Sequence, residues 1–200
     1  GFLVAAGSMS VAYDESFEKY NIESGNFELL QKADSDTIKK IEDGKEKVKE
    51  YENFYLDEET KEVDSTIRLF KNRTDIDKIC IMDGELASND KEIALDRMYA
   101  ENNELKIGDS ITVGGKKLKI TGLVALSDYS ALYSNPSDTM FDAVKFGVAI
   151  ITDTLFDDYG EANLHYSYSW KYDKAPADDK QAQDMAEELM KHINGISPLT

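Results

Sequence analysis

Two histidines, one cysteine and a surplus of carboxylates are the residues of this 200-residue chain that could do chemistry. His165 and His192 fall in different expected elements, and neither has a Cys or His neighbour at the spacing a zinc site needs. His165 lies in a strand pattern with Leu164, Tyr166, Tyr168 and Trp170, which suits a hydrogen-bonded side chain on a polar face. His192 stands near the end of an expected helix, where the macrodipole favours it. Cys80 is the only cysteine, so no internal disulfide forms, and its setting between Ile79 and Ile81 predicts a buried small hydrophobe. The pairs Asp157-Asp158 and Asp178-Asp179 could act as carboxylate dyads or calcium ligands. Neither has the D-x-[DN]-x-[DN]-G spacing, and solvated faces or helix N-terminal charge account for them. There is no G-x-S-x-G elbow, P-loop or G-x-G-x-x-G fingerprint, and Gly114-Gly115 lacks a following phosphate-binding helix. The expectation is a chain that is not an enzyme, with no catalytic, cofactor-binding or metal-binding residues.

The bulk composition points the same way. With 41% hydrophobic and 32% charged residues the chain is apolar enough to fold and long enough for one sizeable core or two small ones. Forty acidic against 23 basic side chains leave a formal net charge of -17, and the lysines between 39 and 49 alternate with acids instead of forming a stripe. Nucleic acid is therefore excluded as an expected partner, and so is docking to anionic lipid through a polybasic patch. What remains is aromatic richness, 11 Tyr, 8 Phe and 1 Trp, because Tyr and Trp combine contact area with a polar handle. The segment 128–146 is the expected contact surface, with Tyr129, Tyr133, Met140 and Phe141 as candidate partner contacts.

The elements that must position such a surface follow from periodicity. Residues 1–13 carry no charge and then give way to an acidic stretch, while Tyr13, Phe17 and Tyr20 recur at helical spacing. The run is too short to span a membrane and fits either the outer end of a truncated span or a buried helix of the domain. A long helix over 2–20 is expected, and a second over 178–193 with Ala182, Met185, Ala186, Leu189 and Ile193 on one face. Both ends read as cuts inside a longer polypeptide. Between them the pattern is a strand over 26–31, a serine-capped helix over 35–42, and a hairpin of 48–56 with 63–70. A further strand over 76–82 follows, with Asp83-Gly84 turning behind it. Residues 92–126 read as strand, helix capped by Asp96, and β-hairpin: 93–95, then 97–102, then 110–113 and 116–124 joined by Gly114-Gly115. Leu118, Ile120 and Val124 share one face of the last strand, and Lys117, Lys119 and Thr121 the other.

The string EIALDRMYAENNELKIGDSITVGGKKLKITGLV resembles the core of the extracytoplasmic domain in FtsX-like and MacB-like ABC transporter permeases. The stretch ahead of it departs from the family's Gly-Arg-x-Pro-like turn, and of that turn only Gly84 is kept. The resemblance implies an α+β fold of the MacB-like periplasmic core type, with mixed or antiparallel strands, short helices, and long N- and C-terminal stalk helices. It divides the chain into a stalk helix over 1–20 continuing from a transmembrane span, an extracytoplasmic domain over 21–175 divisible into two subdomains, and a C-terminal helix and tail over 176–200. Residues 83–126 form the family-like unit.

The function so implied is that of a non-catalytic extracellular domain on the outer side of the cell membrane. It would transmit ATP-driven conformational change to a substrate or extracytoplasmic partner. Its partners would be an ABC ATPase subunit reached through the rest of the permease, a second permease copy, and an extracytoplasmic substrate or protein. The competing expectation, from the tyrosine-rich segment, is a secreted or surface-anchored binding module for peptide or carbohydrate.

Overall fold

A computed structural model describes the backbone of residues 3–9 and the whole of residues 21–126 and 145–196. The chain is mixed α+β and divides into two units. One is built from Gly1–Phe54 together with His165–Thr200, the other from Tyr55–Leu164. The expected continuous domain over 21–175 is thus distributed over both units, and its first and last parts join the terminal elements.

In the first unit, β1 (Leu3–Met9), β2 (Gly25–Leu29), β11 (Leu164–Tyr172) and β3 (Val48–Glu52) lie side by side in that order, all antiparallel. Strict alternation on β11 sorts the sheet into an aromatic face and a polar one. Tyr168 pairs with Phe27, and Trp170 pairs with both Gly25 and Glu50. The aromatic face is covered by two helices, α1 (Ser35–Glu42) and α4 (Asp179–Gly195), which add Ile41, Ala186, Leu189 and Ile193 to Phe27, Leu29, Tyr168 and Trp170 in one core. Complete burial of Ile41 alone stabilises the docking of α1 by about 2 kcal/mol. Phe27 and Tyr168 stack at 5.6 Å, and Phe54 meets Tyr166 and Tyr168 edge-on.

Three expectations are corrected here. Residues 3–9, expected to open a stalk helix, form strand β1; residues 10–20 of that expected helix lie outside the described residues. The run 3–9 has no charged face to favour a helix, whereas the edge of β2 supplies backbone partners for an extended chain. The cap of α1 is Asp34 and not Ser35, its carboxylate accepting from the Thr37 amide at 2.7 Å. The expected strand 48–56 is two strands: β3 pairs with β11, while Tyr55 begins β4 (Tyr55–Glu59) of the second unit. The break between them is held by the Asn53 amide on the Ser167 carbonyl and the Asn53 side chain on Ser169. These partners lie more than a hundred residues away in sequence. The C-terminal helix does form, but its apolar stripe is packed on its own unit's sheet.

The second unit is a row of strands, β4, β5 (Thr66–Lys71), β10 (Phe146–Ile151), β7 (Glu92–Asp96), β9 (Lys116–Leu126) and β6 (Ile79–Gly84). The pairs β5/β10 and β7/β9 are parallel and the others antiparallel. β8 (Ser110–Val113) pairs with the first part of β9, on the edge that β6 takes further along. The backbone of 59–61 bonds to 112–114, through Gly114 N to Glu59 O at 2.8 Å and Lys61 N to Thr112 O at 3.1 Å, so the row closes back on itself. The middle strands β7 and β10 are buried on both faces and read as near-continuous apolar runs, whereas β5 alternates, with half-buried Arg68 between buried Ile67 and Leu69. Tyr55, Phe70, Ala94, Val124, Val148 and Ile150 pack on one face. Two short helices complete the unit, α2 (Arg97–Asn102), capped by Asp96 on the Tyr99 amide, and α3 (Asp153–Asp158), capped by Thr152 on the Leu155 amide.

The expected strand–helix–hairpin unit is present within two residues at each boundary. Gly114 and Gly115 both have positive φ, +55° and +81°, as a two-residue hairpin with matched twist requires. Asp83-Gly84, expected as a turn, instead ends β6, which bulges between Ile81 and Asp83. Among the described residues no helix is long and apolar enough to cross a membrane.

Candidate contact surfaces

The four residues singled out for partner contact, Tyr129, Tyr133, Met140 and Phe141, lie outside the described residues. Their segment joins β9 to β10, the two strands that flank β7. The other aromatic clusters are mainly structural: Tyr55, Tyr168, Trp170 and Tyr172 are buried, and the half-buried Tyr159 hydroxyl donates to the Val113 carbonyl at 2.8 Å. Burial pushes the Tyr168 phenol up to about 12 and the Tyr99 and Tyr172 phenols above the ordinary tyrosine value.

The two histidines serve separate structural contacts. His165 Nδ1 is 3.1 Å from Glu28 Oε2 on the polar face of the first unit's sheet. His192 Nε2 donates to the Lys40 carbonyl at 2.6 Å, satisfying one of the last carbonyls of α1. Among the described residues no group of three metal-ligating side chains comes together. Cys80, expected to be buried, is half-exposed on β6 with its sulfur 3.6 Å from that of Met82, because among the described residues β6 has a neighbour on one side only.

The polar face of that first sheet holds a buried network that no local motif announces. Glu23, nearly inaccessible, accepts from Asn26 at 2.7 Å and from Ser169 at 3.2 Å, and Ser169 in turn accepts from Asn53 at 3.1 Å. The signal in the sequence is the alternation of Ser167 and Ser169 with Tyr166, Tyr168 and Trp170, which separates the two faces. Such a network fixes one arrangement of β2, β11 and the Asn53 break, since each member would lose a partner in any other.

In the second unit an open cleft of about 600 Å³ is lined by Asp57, Glu58, Glu59, Thr60, Lys61, Thr112, Gly114, Gly115 and Asn163. Several of its polar side chains are already engaged. Asp57 holds Arg68 through two hydrogen bonds of 2.9 and 3.0 Å, Glu58 accepts from Asn163 at 3.1 Å, and the Thr60 hydroxyl bonds Ser65 at 2.9 Å. At its rim, burial works to raise the Glu62 carboxyl, but the Thr112 hydroxyl and amide more than offset it and hold the group below the ordinary glutamate value. The cleft offers acidic and hydroxyl surface, with no histidine or cysteine in its lining. Apolar surface is offered elsewhere, by Ile81 and Met82 on β6 and by Ile107, which reaches to Gly84.

No family model matches the chain, and no curated protein matches it. Among solved structures it is similar to the extracellular domain of the noncanonic ABC-type transporter YknZ from Gram-positive bacteria, at 14% identity and TM-score 0.41, over 80% of this chain and 81% of that one. It is also similar to the periplasmic region of MacB from Actinobacillus actinomycetemcomitans, at 10% identity and TM-score 0.40, over 82% of this chain and 76% of that one.

Proposed function

We propose that this chain is the extracytoplasmic domain of an FtsX-like or MacB-like ABC transporter permease, held on the outer side of the cell membrane. There it passes ATP-driven motion to a substrate or partner without doing chemistry itself. The observation that carries this reading is the unit β7–α2–β8–β9, in which the resembling string is placed residue by residue. Asp96 caps the helix, the Gly108 amide bonds the Ile120 carbonyl at 2.8 Å, and Gly122 stands where the Glu85 backbone passes. A second observation agrees with it: α4 packs against β1 within the first unit, so the elements nearest the two ends are neighbours, as a domain tethered at both ends needs. An ATPase subunit, a second permease copy and an extracytoplasmic protein or substrate are the partners this reading implies, with residues 129–141 and the β6 edge as places to look for contact.

The test is a distance measurement on the membrane-embedded parent protein co-expressed with its ATPase. Spin labels at positions 5 and 187 report the spacing of β1 and α4. The reading expects them close together, with a distribution that changes when ATP is bound. A spacing indifferent to nucleotide rejects force transmission, and recovery of the parent as a freely secreted protein supports the binding-module alternative instead.

A further inference from the structure

Glu50 occupies an unusual place for a carboxyl group. It lies on β3 directly opposite Trp170, so its side chain points to the aromatic face that α1 covers. The residue as a whole is half-buried, yet both carboxyl oxygens are sealed from solvent and meet no hydrogen-bond partner. Its own backbone amide donates to Glu42 Oε2 at 2.8 Å, which brings a second carboxylate from the last turn of α1 to the same spot. We propose that the Glu42–Glu50 contact is a pH-sensitive latch: α1 stays docked on β3 while Glu50 is neutral and is released when Glu50 loses its proton.

Neither carboxyl oxygen of Glu50 has a hydrogen-bond partner, and the buried Trp170 Nε1 and Tyr172 hydroxyl on the same face are not bonded to it. Glu42 faces it from α1, and Tyr168 and Tyr172 share its face on β11. Glu46, in the turn after α1, acts on Tyr172. The lysines of these strands, Lys49 and Lys171, are paired with each other on the opposite face, where Lys49 lies over the Tyr51 ring and Lys171 bonds Asn21. Lys47 is bound to Asp43, and His192 on α4 bonds the Lys40 carbonyl. Burial, with the Glu42 charge added, holds the Glu50 carboxyl well above the ordinary glutamate value. A raised carboxyl fixes the sign. Below the ordinary glutamate range docked and undocked forms both keep the proton and the contact has full strength. As pH rises through the raised value the undocked form gains by ionising, and the docking is lost.

Hydrogen exchange tests this directly, because the Glu50 amide is protected by the latch itself, and the Ile38 and Asp43 amides by α1 through their bonds to Asp34 and Lys39 carbonyls. Between about pH 5 and about pH 9, after correction for intrinsic exchange, protection at these three amides should fall at least about tenfold, the factor carried by one pKa unit. Amides of the second unit should not follow. In Glu50→Gln, a neutral side chain of the same shape, protection should stay level across the range, with His192 unaltered as an internal control. Should that variant not fold, Glu42→Gln removes the like charge while keeping an acceptor for the Glu50 amide, and must shrink the loss. Level protection in the natural chain, or an equal loss in Glu50→Gln, or an undiminished loss in Glu42→Gln, overturns the latch. None of these outcomes bears on the permease reading.

Discussion

Gly84 of β6 stands opposite Gly122 of β9, and the chain crosses there so closely that a Cβ on residue 122 would come within 2.2 Å of the Glu85 carbonyl oxygen. The contact is sealed by Glu85 N on the Thr121 carbonyl at 3.0 Å and by the Thr121 hydroxyl on the Glu85 carbonyl at 3.1 Å. Gly84 itself has φ +67° and is equally crowded, since a Cβ on it would come within 2.3 Å of the Thr121 carbonyl oxygen. The obstructing atoms are backbone, so they cannot swing aside. Gly122→Ala should cost about 3 kcal/mol and be felt along the β6/β9 ladder. Thermal unfolding followed by circular dichroism should show it, with hydrogen exchange at β6 rising first. A variant as stable as the natural chain would mean that β6 is not held across β9 as described.

A second close approach lies in the first unit. The Trp170 indole covers Gly25, 2.4 Å from where a Cβ would project, and the ring is buried. Gly25→Ala must push the indole off its tilted contact with Phe27 or bend β2, at about 2 kcal/mol. Trp170 is the only tryptophan, so its emission reports this unit alone. The expected result is a red-shifted spectrum and a lower denaturant midpoint by fluorescence. Unchanged emission would show that the ring does not sit on Gly25.

The strand–helix–hairpin unit was legible because its signals are local. Alternation on β9, a capping Asp96 and Gly114-Gly115 all act within a few residues of where they stand. What was not legible depends on partners far away in the chain. The uncharged run 3–9 suits helix or strand about equally until β2 presents an edge, and nothing near Asn53 reveals that Ser167 and Ser169 will end β3 there. Glu50 reads as one acid among several in a strand, and only its register against Trp170 buries it. The candidate contact residues of 128–146 lie outside the described residues, and the aromatic richness that marked them is the same property that builds the Tyr168–Trp170 core.

The Asp57–Arg68 pair links β4 to β5 through a two-bond fork, with the guanidinium 4.0 Å from the centre of the Tyr55 ring and both side chains only about a quarter exposed. A charge-assisted fork under an aromatic ring is worth more than a surface pair. Arg68→Ala should destabilise the second unit by about 2 kcal/mol, and Arg68→Lys should recover less than half, because a single ammonium cannot make both bonds. Urea unfolding of the three proteins, monitored by circular dichroism, distinguishes geometry from charge. Full recovery by lysine would show that only the charge matters.

Alkaline stability provides the last check, because several phenols are held away from ionisation. Burial raises Tyr168 to about 12, and raises Tyr99, Tyr159 and Tyr172 as well. Each therefore binds its proton more tightly folded than unfolded. Their contribution is complete below the ordinary tyrosine range, near pH 10, and is lost as pH climbs from there through the raised values. Phenolate absorbance should rise in two stages, exposed tyrosines first and the buried set together with unfolding. The Tyr168 hydroxyl also accepts from the Ala33 amide at 2.9 Å, which gives Tyr168→Phe two opposed effects. At neutral pH it should lose about 1 kcal/mol, since the amide is left without its partner, while its stability should decline less steeply above pH 10. A variant that matches the natural chain in alkaline slope would place the Tyr168 phenol in solvent, and with it the aromatic face on which α1 and α4 are docked.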